Sequence, residues 1–145
     1  MGGVWLGLDN TSWSASRLKK PVRHWQVTFG NRQARWAARL FTKLAKKGIP
    51  VAIENPSSSR VWLTPWLRGL LARFGFQDVD MCSFGAPGRN RTRILFANWN
   101  LHGLKIFCCH GKGGICSFTG RKHVEHKRGR TTTPTSLFRY VVSRL

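Results

Sequence analysis

Six residues that can ligate a soft metal crowd into one short stretch of the chain: Cys108, Cys109, His110, Cys116, His123 and His126. Thiolate sulfur and imidazole nitrogen suit zinc, and four such ligands close a tetrahedral structural site. The spacing Cys109-x6-Cys116-x6-His123-x2-His126 offers one such set. No tight Cys-x2-Cys knuckle accompanies it, so a second reading stays open: strand-end cysteines with histidines in a solvated basic loop. The chain's four cysteines are expected to be reduced, since nothing else indicates secretion. The expected location is intracellular, either an organelle (mitochondrion or plastid) or the nucleus.

A second group of residues follows three apolar runs. Gly7-Leu8-Asp9-Asn10-Thr11-Ser12-Trp13-Ser14 comes after the first run, and Ile53-Glu54-Asn55-Pro56 after the second. Phe84-Gly85-Ala86-Pro87, with Arg91-Thr92-Arg93-Ile94, comes after the third. Open α/β sheets place their sites at the carboxyl ends of strands. In order and approximate spacing, over residues 4 to about 98, these segments resemble the cytosine-C5 DNA methyltransferases. The motifs of that family read Pro-Cys-x-x-(aromatic)-Ser, Glu-Asn-Val and Gly-x-Pro-…-Arg-x-Arg. The Glu-Asn-Pro form seen here resembles a divergent phage and protist mobile-element group.

The resemblance implies a definite chemistry. A thiolate adds to C6 of a flipped cytosine, and an adjacent carboxylic acid contacts the Watson–Crick edge. Glu54 takes the carboxyl role, while Arg91 and Arg93 hold the base and the catalytic loop. The nucleophile position, however, is Asn10, and Asp9 stands where the family has proline. An amide cannot replace a thiolate in this addition, and Cys82 is expected on another strand. The family's S-adenosylmethionine-binding half should precede the catalytic loop, yet three residues precede Val4. The resemblance therefore implies a truncated, non-catalytic relative of the fold. A fragment working with a separate cofactor-binding half is the enzymatic alternative. Simpler roles also stand: Asn10 as a turn cap, Glu54 as a structural acid, and Arg91 and Arg93 as phosphate contacts.

Charge is independent of any motif. Among 145 residues, 25 Lys and Arg face five acids, a formal net charge of +20. A surface tuned for solubility mixes both signs, whereas a uniform excess suits a polyanion such as a phosphate backbone. The basic residues form dispersed clusters: Arg17, Lys19, Lys20 and Arg23; Arg32, Arg35 and Arg39; Arg89, Arg91 and Arg93; and Arg121, Lys122, Lys127, Arg128 and Arg130. Such dispersal favours extended phosphate contact over readout of one short sequence. DNA and structured RNA, as in an organellar ribosome, are equally compatible partners. No apolar run reaches the ~18 residues of a spanning helix, so membrane insertion is not expected.

The elements that must position these groups read as follows. Val4 to Leu8 is a buried strand, and residues 9–30 form a polar loop. A helix begins near an Asn31 cap, with Ala34, Ala37, Ala38, Phe41, Leu44 and Ala45 inward, and stops at Gly48 and Pro50. Pro50 to Ile53 is a strand, and Thr64-Pro65 opens a second helix that Gly75 ends. Asp78–Phe84, Ile94–Ala97 and Leu104–Cys109 read as strands, and Leu137–Val142 as a terminal helix. The order predicts an α/β fold, a partial Rossmann-like, mostly parallel sheet with flanking helices. Residues 1–104 form its domain and residues 105–145 a basic Cys/His-containing extension. A half-sheet would expose an edge, which a protein or RNA partner is expected to cover.

Overall fold

The computed structural model describes residues 2–10, 12–14 and 23–124. Four strands are joined into one sheet: β1 (Val4–Gly7), β2 (Val51–Pro56), β3 (Gly75–Asp80) and β4 (Arg91–Ala97), in the order β1-β2-β4-β3. The helix α1 (His24–Lys46) separates β1 from β2, and α2 (Pro65–Arg73) separates β2 from β3.

The α/β class holds, but the sheet is mixed rather than mostly parallel. β1 pairs with β2 in parallel, Val4 opposite Val51. β4 pairs antiparallel with both β2 and β3, inserted between them. Chain length explains the reversal. Hydrogen-bonded parallel neighbours need a crossover of a dozen or more residues, and residues 81–90 hold only a short 3-10 helix, Met81–Phe84. β1, β2 and β3 nevertheless run in one direction, so the segments after all three emerge at one end of the sheet.

One face of the sheet packs on both helices. Ala34, Ala37, Ala38 and Phe41 of α1 meet Val51, Ile53, Leu67, Leu70, Leu95 and Ala97. The inward alanines let α1 approach closely, and Phe41 lies edge-on to Phe74 at 5.2 Å. The other face buries Ala52, Val79, Ile94 and Phe96 beneath Leu101 and Leu104. Alternation along β2 and β4 assigns the two faces, as a pleated strand requires.

Local expectations shift in four places. Helix α1 starts at His24, seven positions before the expected Asn31 cap, so the last seven residues of the expected 9–30 loop are helical. Arg23 N–H donates to the Gln26 side chain at the start of α1, and Gly30 does not break the helix. It is buried where the Ser12–Trp13 turn crosses, and a Cβ there would strike the Ser12 hydroxyl. The Asp78–Phe84 segment is the end of β3 followed by a 3-10 helix, with Gly85 in the left-handed region at φ 92°. Leu104–Cys109 is not a strand; His102–Phe107 is a 3-10 helix resting on the sheet. Gly75 opens β3 rather than ending α2, which is capped by Phe74.

Candidate metal centre

Beyond the sheet, residues 108–124 form a strap with almost no apolar core. Ile115, Phe118 and Val124 are all exposed large hydrophobics. Its buried residues, Cys109 and Cys116, form a cluster of three thiols with Cys82 of the turn after β3. His123 joins them: the ligand atoms of Cys82, Cys109, Cys116 and His123 all lie within 4.8 Å of one another. The His123 Nε2 to Cys109 Sγ separation is 3.7 Å. Ligand atoms around a tetrahedral zinc stand about 3.5–3.8 Å apart, given bonds near 2.0–2.3 Å. The Cys3His cluster therefore has the donor set and the closeness to hold a metal ion such as zinc.

Local backbone geometry builds the site. Cys82 lies in the turn that follows β3. Cys116 and His123 sit on opposite arms of a small hairpin marked by the Ile115–Lys122 bridge. In that hairpin Cys116 N–H donates to Arg121 O at 2.7 Å, and His123 N–H to Gly114 O at 2.7 Å. Gly113 and Gly114 take φ 61° and 77°, the left-handed region that favours glycine. A Cβ on Gly111 would collide with the Ile115 carbonyl.

The hairpin also supplies charge stabilisation. Burial alone raises a thiol pKa, but at Cys116 the Thr119 hydroxyl and the N–H groups of Phe118 and Thr119 bring it down to about 7. Cys109 is likewise lowered against its burial, chiefly by the Ser117 hydroxyl and N–H. Cys82 has no such donors. Burial, then hydrogen bonding with Cys116 and Cys109, pushes it up to about 12. Hydrogen-bond donors thus favour the thiolate form at Cys116 and Cys109, the form that binds a metal, while burial favours the thiol at Cys82.

Asp80 ties this cluster to the sheet. It is fully buried and accepts a bidentate pair from Arg91, Nε at 3.1 Å and Nη2 at 3.0 Å. Arg89 Nε lies 3.2 Å from the same carboxylate, and Cys109 N–H donates to it at 2.6 Å. Burial would raise its pKa, but the Arg91 hydrogen bonds, the Cys109 N–H and both guanidinium charges hold it below the usual value.

Of the four expected ligands, Cys109, Cys116 and His123 converge, and His126 lies outside the described residues. Cys82 completes the set, and spacing within the 108–126 stretch gave no signal for it. Cys108 instead points its thiol at Asp78 O, 3.4 Å away, and His110 is exposed.

The three motif segments also meet, at the end of the sheet where β1, β2 and β3 stop. Asn10 Oδ1 accepts from the Ser59 hydroxyl at 2.6 Å, and its carbonyl caps the turn by accepting from Trp13 and Ser14 N–H. Trp13 is half-buried against the α1 core, and Trp62 is buried. Glu54 accepts from Trp5 Nε1 at 3.2 Å. Glu54 stands opposite Ile94, whereas Arg93 stands opposite Asn55, so Glu54 and the two arginines occupy opposite faces of the sheet. Arg93 grips Asp78 at 2.8 and 2.9 Å and lies over the Phe76 ring. No family model, no curated protein and no solved structure matches this chain.

Of the expected nucleic-acid contacts, Arg23, Arg32, Arg35, Arg39, Arg121 and Lys122 are exposed. Arg89, Arg91 and Arg93 are engaged by Asp78 and Asp80. Arg17, Lys19, Lys20, Lys127, Arg128 and Arg130 lie outside the described residues, as does the expected terminal helix. No helix among the described residues is long and apolar enough to cross a membrane.

Proposed function

We propose that this chain is a non-catalytic nucleic-acid-binding protein whose strap is fastened by zinc. One observation carries the reading. Asp78 and Asp80 are spent on Arg89, Arg91 and Arg93, while α1 runs 23 residues without an acid. Its cations have no neutralising partner on their own helix. Arg35, Arg39, Lys43 and Lys46 line a groove of about 610 Å³ against Trp66 and Leu70 of α2. Arg35 is already stacked on the Trp66 ring, 4.6 Å from its centroid. A row of fixed cations beside an apolar wall suits a phosphate backbone.

Descent from a partial, Rossmann-like cytosine-C5 methyltransferase fold belongs to the same proposal. The meeting of the three motif segments at one sheet end supports it. The Asn10 amide, bound to Ser59, supports loss of the chemistry. S-adenosylmethionine has no role in this reading.

Fluorescence anisotropy with labelled RNA and DNA between 50 and 200 mM salt tests the proposal. The expected slope is about −0.7 to −0.9 per phosphate contact, giving roughly −3 for the four groove cations. Absence of binding to every nucleic acid at physiological salt overturns it. The unaltered chain should form no covalent adduct with DNA carrying 5-fluorocytosine; an adduct overturns the non-catalytic reading.

A further inference from the structure

The face of α1 turned to solvent carries residues whose exposure the packing of the helix does not explain. Trp25 is 61 % exposed, Phe29 53 % and Trp36 57 %. At roughly 100° per residue, positions 25, 29, 32, 36, 39 and 43 fall in a single stripe about 80° wide. Read along the helix, that stripe is Trp25, Phe29, Arg32, Trp36, Arg39, Lys43. Three aromatic rings spread over about 16 Å of helix, with exposed guanidinium groups set between and beyond them. The cationic groove lies directly alongside and shares Arg39 and Lys43 with the stripe.

We propose that this face is a stacking platform for unpaired RNA, with bases on Trp25, Phe29 and Trp36 and phosphates on the Arg39–Lys43 side. The assignment rests on the nucleic-acid reading above and specifies the strand state. A duplex hides the faces of its bases, so exposed rings would gain nothing from it. An unpaired strand offers a π-face at every nucleotide, and stacking is sequence-tolerant. Loops, bulges and ends make unpaired nucleotides an ordinary condition of RNA.

Charge argues for the same occupant. Helix α1 holds no Asp or Glu, so the stripe calls for an anionic partner. A bilayer is also anionic, but helices that lie in its interface keep apolar and cationic faces apart. Here Arg32 sits in line with the rings, and the opposite, apolar face of α1 is buried on the sheet. Rings and cations interspersed along one line give bases and phosphates places on the same face.

The test uses the full zinc-loaded chain, a labelled 12-nucleotide oligouridylate, its deoxythymidine counterpart and an RNA duplex of equal length. Trp36→Ala should weaken oligouridylate binding about 5- to 150-fold, the loss of one stacked base, with an unchanged salt slope. Trp36→Phe should restore most of that loss. Arg39→Ala should lower the salt slope by about 0.7. These side chains are exposed, so thermal melting should be unaltered and the losses not attributable to unfolding. Equal, undiminished binding of strand and duplex by the variants overturns the platform while leaving the nucleic-acid reading intact. Tighter binding of the deoxy strand overturns the assignment to RNA. Binding of phosphatidylserine vesicles with no binding of any nucleic acid overturns both.

Discussion

The Asp80 carboxylate, fully buried, receives the backbone N–H of Cys109 at 2.6 Å. A sheet-end acid thereby fixes the backbone of a candidate metal ligand 29 positions later in the chain. Through Arg91 and Arg89 the same carboxylate holds β4 and the loop before it.

Asp80→Asn keeps the shape but removes the charge that two guanidinium groups face. Urea denaturation should show a loss of roughly 1.5–3 kcal/mol, the range for hydrogen bonds to charged groups. Zinc affinity should fall about 10- to 100-fold, as when a group orienting a ligand is removed. A variant with wild-type stability and zinc affinity would refute this role.

The ligand set makes a sharper prediction. Elemental analysis should find about one zinc per chain, lost in Cys82→Ser, Cys116→Ser and His123→Ala and kept in His126→Ala. Loss of zinc in His126→Ala with retention in Cys82→Ser would restore the set suggested by spacing alone.

Chelation should act locally. With a strap whose buried cluster is thiols rather than hydrocarbon, metal removal should open residues 108–124 to protease and leave α1 and the sheet folded. Far-UV circular dichroism that collapses on chelation would show that the whole chain depends on the ion.

Two glycines should respond oppositely to alanine. Gly69 lies exposed in the middle of α2 with open space around its Cα, so Gly69→Ala should stabilise by about 0.5–1 kcal/mol. Gly111→Ala drives a methyl into the Ile115 carbonyl and should weaken zinc binding. Thermal melts and zinc titration read the two effects separately.

Much of the helix-facing core was legible because it obeys short-range periodicity. Ala34, Ala37, Ala38 and Phe41 recur at helical spacing, and Pro65 marks the start of α2. What escaped depends on distant contacts. Gly30 looks like a helix breaker until the Ser12–Trp13 turn is laid against it. The direction of β4 was within reach, since the ten residues between Asp80 and Arg91 are too few for a crossover. Cys82 was out of reach for a different reason. Its partners lie beyond an entire strand, and no spacing rule spans that interval. The arginine pair looks free to meet a phosphate or a base because its cross-strand acids, Asp78 and Asp80, depend on a register the sequence does not display.

Because the sulfur of Cys82 reaches the cluster from the far side of β4, ion capture closes a long loop rather than a local knuckle. Closure of the strap and metal supply would then become linked quantities. Where binding is confined to the closed form, each tenfold rise in free zinc above its dissociation constant adds about 1.4 kcal/mol to closure. The ambient zinc concentration of the compartment would therefore set how long residues 108–124 survive intact, making strap turnover a gauge of that supply.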